Sequence, residues 1–157
     1  MSLTVKISTP IFQTLSDLKE QYGFDELGLA VSGGSDSLAM LYICSDWALE
    51  KKVKLHCVTV DHKLRPESLK EAELVAGHCN RLGIHHEVVE WKHEKELGGN
   101  LSDLARSARY ELIGKWRKKL SFVLVGHTQN DQIETFFMNL KRGSGIEGLK
   151  GMSVSLK

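Results

Sequence analysis

The sequence has few cysteines and no long run of apolar residues. Its three cysteines, Cys44, Cys57 and Cys79, form no C-x-x-C pair and leave an odd count. This pattern argues against a disulfide framework and supplies too few thiolates for a zinc site. No apolar stretch approaches the roughly 20 residues needed to cross a bilayer, and the N-terminus mixes charged with apolar residues, unlike a signal peptide. We therefore expect a cytoplasmic protein without a membrane partner.

Internal repeats, low-complexity segments and an obvious linker are also missing. The 157 residues suffice for one domain with a buried core, so we expect a single domain spanning residues 1–157. Residues 1–78 carry 8 basic and 11 acidic side chains, whereas residues 79–157 carry 13 and 9. The basic excess of the second half permits a nucleic-acid partner, but a solvated charged face would account for it as well.

Short apolar runs alternate with longer helical patterns along the chain. The predicted strands are 27–31, 53–60, 84–91 and 122–125, and the predicted helices are 11–22, 38–49, 66–82, 101–116 and 131–140. This alternation predicts an α/β fold, doubly wound, with a mostly parallel sheet of five strands or a similar number and helices on both faces. Ligands of such sheets bind beyond the carboxyl ends of the strands. The residues directly after Val31, Val60 and Val125 are therefore expected to carry the chemistry.

A loop rich in glycine and serine follows the first predicted strand and leads into a helix. Its residues are Ser32, Gly33, Gly34, Ser35, Asp36 and Ser37. Glycines let the backbone approach a ligand closely, and the N–H groups at a helix N-terminus, with the serine hydroxyls, form a cradle for an anion. Asp36 would contribute through a Mg²⁺ that bridges its carboxylate and phosphates. The alternative is a turn in which Asp36 only caps the helix.

The order Ser-Gly-Gly-Ser-Asp-Ser after a short strand resembles the pyrophosphate-binding loop of the ATP-pyrophosphatase, or PP-loop, superfamily. The resemblance implies a Rossmann-like fold of the adenine-nucleotide alpha-hydrolase type and ATP bound over residues 32–37. It also implies that an oxygen of a second substrate is adenylated with release of pyrophosphate, and that a nucleophile then displaces AMP. The loop alone does not identify that second substrate.

Two further segments resemble lysidine synthases within this superfamily. The segment 62–68 is similar to the family's H-x-L-R-x-x-S pattern, which implies that His62 and Arg65 help to bind ATP; exposed loop residues are the alternative. The segment 105–110 is similar to A-R-x-x-R-Y. Arg106 and Arg109 lie three residues apart on one helical face, where guanidinium groups suit phosphate and the charge of an adenylation step. We expect Arg109 to be catalytic and Arg106 to contact tRNA, unless both belong to a solvated basic face.

The segment 126–149 has the most specific resemblance. It follows the lysidine-synthase pattern G-H-x-x-D-D-Q-x-E-T and then R-G-S-G-x-x-G-L, except for Asn130 at the first acidic position. The resemblance implies catalytic roles for His127 and Asp131 and tRNA contacts for Lys141 and Arg142. Asp131 can also act as the N-cap of a capping box with the glutamate three residues later.

The resemblance implies one overall reaction. Lysine would be ligated to C2 of the wobble cytidine in a tRNA(Ile) with a CAU anticodon, through an adenylated cytidine. The substrates would be ATP, free L-lysine and that tRNA, with Mg²⁺ as cofactor, and the enzyme would be cytoplasmic. A homodimer is allowed, and further tRNA-binding domains are expected outside this chain. The alternatives are a tRNA thiolase of the same superfamily and an ATP-binding module without catalysis of its own.

Overall fold

The computed structural model describes residues 3–64, 67–92, 101–118 and 120–126; for residues 3–9 and 67 it describes the backbone alone. The chain divides into two units, Met1–Val125 and Gly126–Lys157. All described helices and strands belong to the first unit. Their order along the chain is α1 (Leu3–Tyr22), β1 (Glu26–Ala30), α2 (Ser35–Lys51), β2 (Lys54–Asp61), α3 (Glu67–Leu82), β3 (His85–Glu90), α4 (Leu101–Trp116) and β4 (Val123–Val125).

The four described strands form one parallel sheet in the order β3-β2-β1-β4. The first three strands are added in one direction, and β4 then returns to the other side of β1. The predicted α/β class with a parallel sheet is therefore confirmed. The change of direction at β1 is the topological switch point, where sheets of this kind bind their ligands.

The two faces of the sheet carry separate cores. Alternate residues of β1 and β2, among them Leu27, Leu29 and Cys57, pack with α1, α2 and α3. The residues between them, such as Ala30 and Val58, face the other side of the sheet. They pack with Ile113 and Trp116 of α4 and with valines of β2, β3 and β4. Side chains of a strand alternate between its faces, so helices cover both faces as predicted.

Trp47 of α2 is the largest side chain of the first core and is fully buried, at 0% exposure. Its indole Nε1–H donates to the Ser16 hydroxyl oxygen of α1 at 3.0 Å, which gives the buried donor a partner. All three cysteines are free and buried. Burial raises the pKa of the Cys44 thiol to about 12, which keeps it protonated near neutral pH. The cysteines therefore act as small apolar residues of the core.

Gly28 in the middle of β1 allows α4 to approach the sheet closely. A Cβ atom at this position would lie 2.9 Å from Cγ2 of Val123 and 3.2 Å from the ring of Trp116. Any larger residue would push α4 or β4 away from β1. Glycine is therefore required at this position by close packing against α4 and β4.

The main difference from the predicted elements concerns α1. The apolar spacing of Ile11, Leu15 and Leu18 predicts a helix over 11–22. Proline disfavours the interior of a helix. In the structure the helix already begins at Leu3 and contains Pro10. Among the described residues, none of the helices is both long and apolar enough to cross a membrane.

Candidate functional site

The loop between β1 and α2 lies at the switch point of the sheet, at the carboxyl end of β1. Helix α2 begins at Ser35, and its N-cap is Gly34 in an extended conformation without a side-chain cap. The first intrahelical hydrogen bond runs from the Leu38 N–H to the Gly34 carbonyl oxygen at 3.0 Å. The N–H groups of the first helical turn thus have no acceptor within the helix. They leave a partial positive charge at the loop, which suits an anion.

Asp36 lies in this first turn and is exposed. Asp36 is not the N-cap of the helix, because that position belongs to Gly34. A carboxylate in the first turn interacts favourably with the helix dipole. It would also compete with a bound phosphate unless a cation lies between the two anions.

The Ser37 hydroxyl holds the loop together from inside. The side chain is 4% exposed. Its Oγ donates to the Gly34 carbonyl oxygen at 2.9 Å and accepts from the Ser32 N–H at 3.2 Å. The Ser32 hydroxyl oxygen lies 3.2 Å away and fills the remaining lone pair, since a hydroxyl has one proton and two lone pairs. In this structure Ser37 therefore maintains the loop's shape, and its predicted contact with ATP stays a prediction.

Gly33 allows the loop to pass close to α3. Its φ is +90°, in the region that residues with a Cβ atom rarely adopt. A Cβ atom there would also lie 3.3 Å from both the Cβ and the carbonyl oxygen of Glu71. The two effects add, because the backbone conformation and the contact with α3 both oppose a side chain at this position.

We expect the substitution Gly33→Ala to lower the free energy of unfolding by about 1–3 kcal/mol through backbone strain and contact with α3. It should also weaken ATP binding, since the loop must shift. Chemical denaturation and calorimetric ATP titration measure the two effects. Gly77→Ala is the matched control, because a Cβ atom on Gly77 in α3 would meet nothing within 4 Å. Unchanged stability and ATP affinity in Gly33→Ala would contradict this account of the loop.

The end of β2 presents a second group of polar residues at the same edge of the sheet. Asp61, at 5% exposure, accepts a hydrogen bond from the Lys63 N–H at 2.8 Å, while Lys63 adopts a φ of 51°. This local turn sets the path of the chain through His62. The His62 ring contacts the Trp91 ring edge-on, with centroids 6.0 Å apart.

Arg109 of α4 reaches His62 across the edge of the sheet. Its Nε and Nη2 atoms both lie 3.4 Å from Nε2 of His62. These are long, weak hydrogen bonds, and they require Nε2 to be unprotonated because an arginine can only donate. Desolvation by burial lowers the pKa of Arg109; the neighbouring Tyr110 opposes this change and Arg106 reinforces it. The guanidinium is thus half-buried and partly removed from water, and it lies beside His62.

Arg106 lies one turn earlier on the same helix, half-buried. Its guanidinium carbon lies 5.6 Å from the centre of the Tyr110 ring, within the distance of a cation–π contact. Neither arginine is fully exposed, which argues against the alternative of a solvated basic face.

The remaining predicted site residues lie outside the described residues. They are Arg65, His127, Asp131, Lys141 and Arg142. Their roles stay predictions. Conversely, sequence reasoning passed over Thr59, which is 2% exposed. The available signal was a polar residue at an inward position of an apolar strand, two residues before Asp61.

A doubly wound parallel sheet with an anion-binding loop at its switch point defines a nucleotide-binding α/β domain. The family model described as the PP-loop domain matches residues 7–157. The chain belongs to the PP-loop domain family. The expectation drawn from the residues of the loop is therefore confirmed at the level of the family.

Curated relatives narrow the similarity within this family. The chain is 38% identical over 146 residues to the tRNA(Ile)-lysidine synthase of Wolbachia pipientis wMel, covering 90% of this chain and 33% of the relative. It is 42% identical over 149 residues to that of Brucella anthropi, covering 89% and 32%. For that of Rhodopseudomonas palustris it is 45% identical over 129 residues, covering 80% and 37%. The chain thus spans about a third of the length of these relatives.

Solved structures show the fold. A U34-tRNA thiolase from Methanococcus maripaludis matches with a TM-score of 0.68 at 19% identity, covering 88% of this chain and 53% of the other. A glutamine-dependent NAD+ synthetase from Acinetobacter baumannii matches with a TM-score of 0.64 at 18% identity, covering 91% and 28%. At such identities the likeness supports the Rossmann-like fold and leaves the substrate open.

Proposed function

We propose that the chain is the ATP-using part of an enzyme that ligates lysine to C2 of the wobble cytidine in a CAU-anticodon tRNA(Ile). One observation carries the proposal: the PP-loop at the sheet's switch point belongs to a chain that is 38–45% identical to three curated tRNA(Ile)-lysidine synthases over 80–90% of its length. The loop supports the use of ATP, and the names of the relatives support tRNA as the second substrate. Residues 1–157 would form this catalytic part, with tRNA-binding domains elsewhere in the longer enzyme.

The phosphates of ATP would lie over residues 32–37. The N–H groups of the first turn of α2 face no helical acceptor, and the exposed hydroxyl of Ser35 can donate beside them. The Ser32 hydroxyl would have to exchange its hydrogen bond to Ser37 for one to a phosphate. Gly33 and Gly34 allow close approach of the backbone. His62, together with Arg65, would complete the ATP site from the end of β2.

Mg²⁺ fits the loop if ATP supplies most of its ligands. Among the described residues, no group of three or more acidic, histidine or cysteine side chains could hold a metal ion. The exposed Asp36 carboxylate provides one oxygen ligand at the loop. Mg²⁺ commonly binds through one or two carboxylates together with substrate phosphates. When bound there, the ion would neutralise phosphate charge during adenylation.

The reaction requires two displacements. The cytidine O2 attacks the α-phosphorus of ATP, and the bond to pyrophosphate breaks. The neutral ε-amine of lysine then attacks C2, AMP departs with the former cytidine oxygen, and the amine loses a proton. Arg109 would offset the charge that builds on the α-phosphate. His127 and Asp131 would orient the cytidine or the amine, and His127 can take up a proton near neutral pH.

Arg106, Lys141 and Arg142 would contact the phosphates of the tRNA. The thiolase alternative is less well supported. Thiolases that handle sulfur directly commonly use paired cysteines, whereas the three cysteines of this chain form no C-x-x-C pair and are buried.

The proposal is tested by incubating the chain with ATP, Mg²⁺, labelled lysine and a CAU-anticodon tRNA(Ile). We expect pyrophosphate release that depends on the tRNA and labelled lysine in the tRNA. When lysine is omitted, adenylated tRNA should accumulate, and a tRNA with uridine at the wobble position should be inert. Pyrophosphate release without lysine transfer would indicate another PP-loop chemistry. ATP binding without any turnover would favour an ATP-binding module that depends on the rest of the longer enzyme for catalysis.

A further inference from the structure

A chain of hydrogen bonds leads from β3 across β2 to the residue that precedes the loop. The Thr59 hydroxyl oxygen of β2 lies 2.9 Å from the Val31 carbonyl oxygen and 2.9 Å from Nε2 of His86 in β3. The strand register of β1 with β2 ends at Ala30 and Val58. The side chain of Thr59 therefore supplies a hydrogen bond to Val31, one residue beyond the end of the register.

The chemistry of these groups fixes the direction of the bonds. A carbonyl oxygen can only accept, so Thr59 gives its single proton to Val31. Because the Thr59 oxygen then has only lone pairs left, His86 must donate through a protonated Nε2. Burial lowers the pKa of His86; the charge of His85 adds to this and Glu87 opposes it. Near neutral pH the ring is therefore neutral, with its proton on Nε2.

The same peptide group continues the chain into the loop. Val31 accepts from Thr59 through its carbonyl, and the N–H on the other side of that peptide, at Ser32, donates to the Ser37 hydroxyl. That hydroxyl donates onward to the Gly34 carbonyl. Each donor thus points toward the loop, an arrangement in which successive hydrogen bonds polarise one another. We call the set His86, Thr59, Val31, Ser32, Ser37 and Gly34 the relay.

We propose that Thr59 and His86 are positioning residues for the ATP-binding loop, acting through the Val31–Ser32 peptide. The inference rests on the proposed use of ATP at this loop. With both its carbonyl and its N–H engaged, the peptide plane cannot rotate freely. The N–H groups of the following residues are thereby held in the orientation that a phosphate requires, before ATP arrives. Loss of the Thr59 hydroxyl would leave the Val31 carbonyl without this donor, and the ordering of the loop would have to come from ATP binding.

Calorimetric titration of the 157-residue chain with ATP and Mg²⁺ tests this role. Thr59→Val keeps the shape of the side chain and removes the hydroxyl, so we expect the Kd for ATP to rise about tenfold. Thr59→Ser keeps the hydroxyl and should restore most of the affinity. His86→Phe removes the donor at the start of the relay, and we expect it to raise the Kd for ATP roughly threefold. His86→Gln keeps an N–H donor and should bind ATP nearly as tightly as wild type.

Val53→Ala is the matched control for a general loss of stability. Val53 is buried, 8% exposed, and lies before β2 at the opposite edge of the sheet. Its truncation should lower the melting temperature and leave the Kd unchanged. The proposal is overturned if Thr59→Val binds ATP like wild type, whether or not its melting temperature falls as that of Val53→Ala does. If Thr59→Val does not fold, the comparison of His86→Phe with His86→Gln tests the proposal instead. Equal Kd values for ATP in these two variants would overturn it.

The proton on His86 can be observed directly. The ¹⁵N chemical shifts of the imidazole distinguish the two tautomers, and we expect the proton on Nε2 near neutral pH. A proton on Nδ1 with a bare Nε2 would overturn the direction of the relay. Failure of the wild-type chain to bind ATP would be a different result, because it would overturn the proposed function itself and, with it, this role of Thr59.

Discussion

Asp36→Asn is expected to lower the rate of pyrophosphate release at least about 100-fold, a loss of about 2.7 kcal/mol in transition-state stabilisation. The substitution keeps the size of the side chain and removes the negative charge that would hold Mg²⁺ beside the phosphates. Asp36 is exposed in the first turn of α2, so its charge contributes only roughly 0.3–1 kcal/mol to folding through the helix dipole. A large loss of activity would therefore not result from unfolding. Pyrophosphate release and ATP affinity with and without Mg²⁺ are the measurements.

Asp46→Asn is the matched control for this substitution. Asp46 is also an exposed aspartate of α2, but it lies in the second half of the helix, away from the loop. The control should retain wild-type pyrophosphate release and Mg²⁺ dependence. Wild-type turnover in Asp36→Asn would remove Asp36 from the proposed mechanism.

Arg109→Lys is expected to reduce adenylation by about 100-fold, even though the positive charge is kept. An ammonium group cannot reproduce the planar guanidinium, whose Nε and Nη2 atoms both approach His62 at 3.4 Å. A shorter lysine side chain at this half-buried position would place its charge differently relative to the α-phosphate. Single-turnover measurement of adenylated tRNA isolates this step from lysine transfer.

The matched control for Arg109 is Arg81→Lys, at the last turn of α3. Arg81 is exposed and contacts only His78 among the hydrogen bonds described for it, so its replacement should leave adenylation unchanged. If Arg109→Lys adenylates tRNA at the wild-type rate, a charge-stabilising role for the guanidinium is wrong.

Much of the fold could be predicted from local patterns. The strand predicted over 53–60 is observed as Lys54–Asp61, and the helix predicted over 101–116 is observed at those residues. These elements have apolar residues at the period of a strand or a helix, and the period depends only on neighbouring residues. The extent of α1 was not predictable in this way, because Pro10 is a local signal against the helix that the structure overrides.

The candidate site was predictable in part. The loop 32–37 combines turn residues with a following helix, and both are local signals. Within that loop, the sequence does not distinguish Ser37 from its neighbours. Only packing places the Ser37 hydroxyl inside the loop, at 4% exposure, while Ser35 remains exposed.

Local sequence patterns establish the alternation of strands and helices, the position of a glycine- and serine-rich loop after the first strand, and the likeness to PP-loop proteins. These properties depend on residues that are close along the chain. The distant residues that support that loop are known only from the packing of the folded chain. Thr59 meets Val31 across 28 residues of chain, and Arg109 meets His62 across 47. Contacts of this kind depend on strand order and helix placement, because no local period relates the residues that make them.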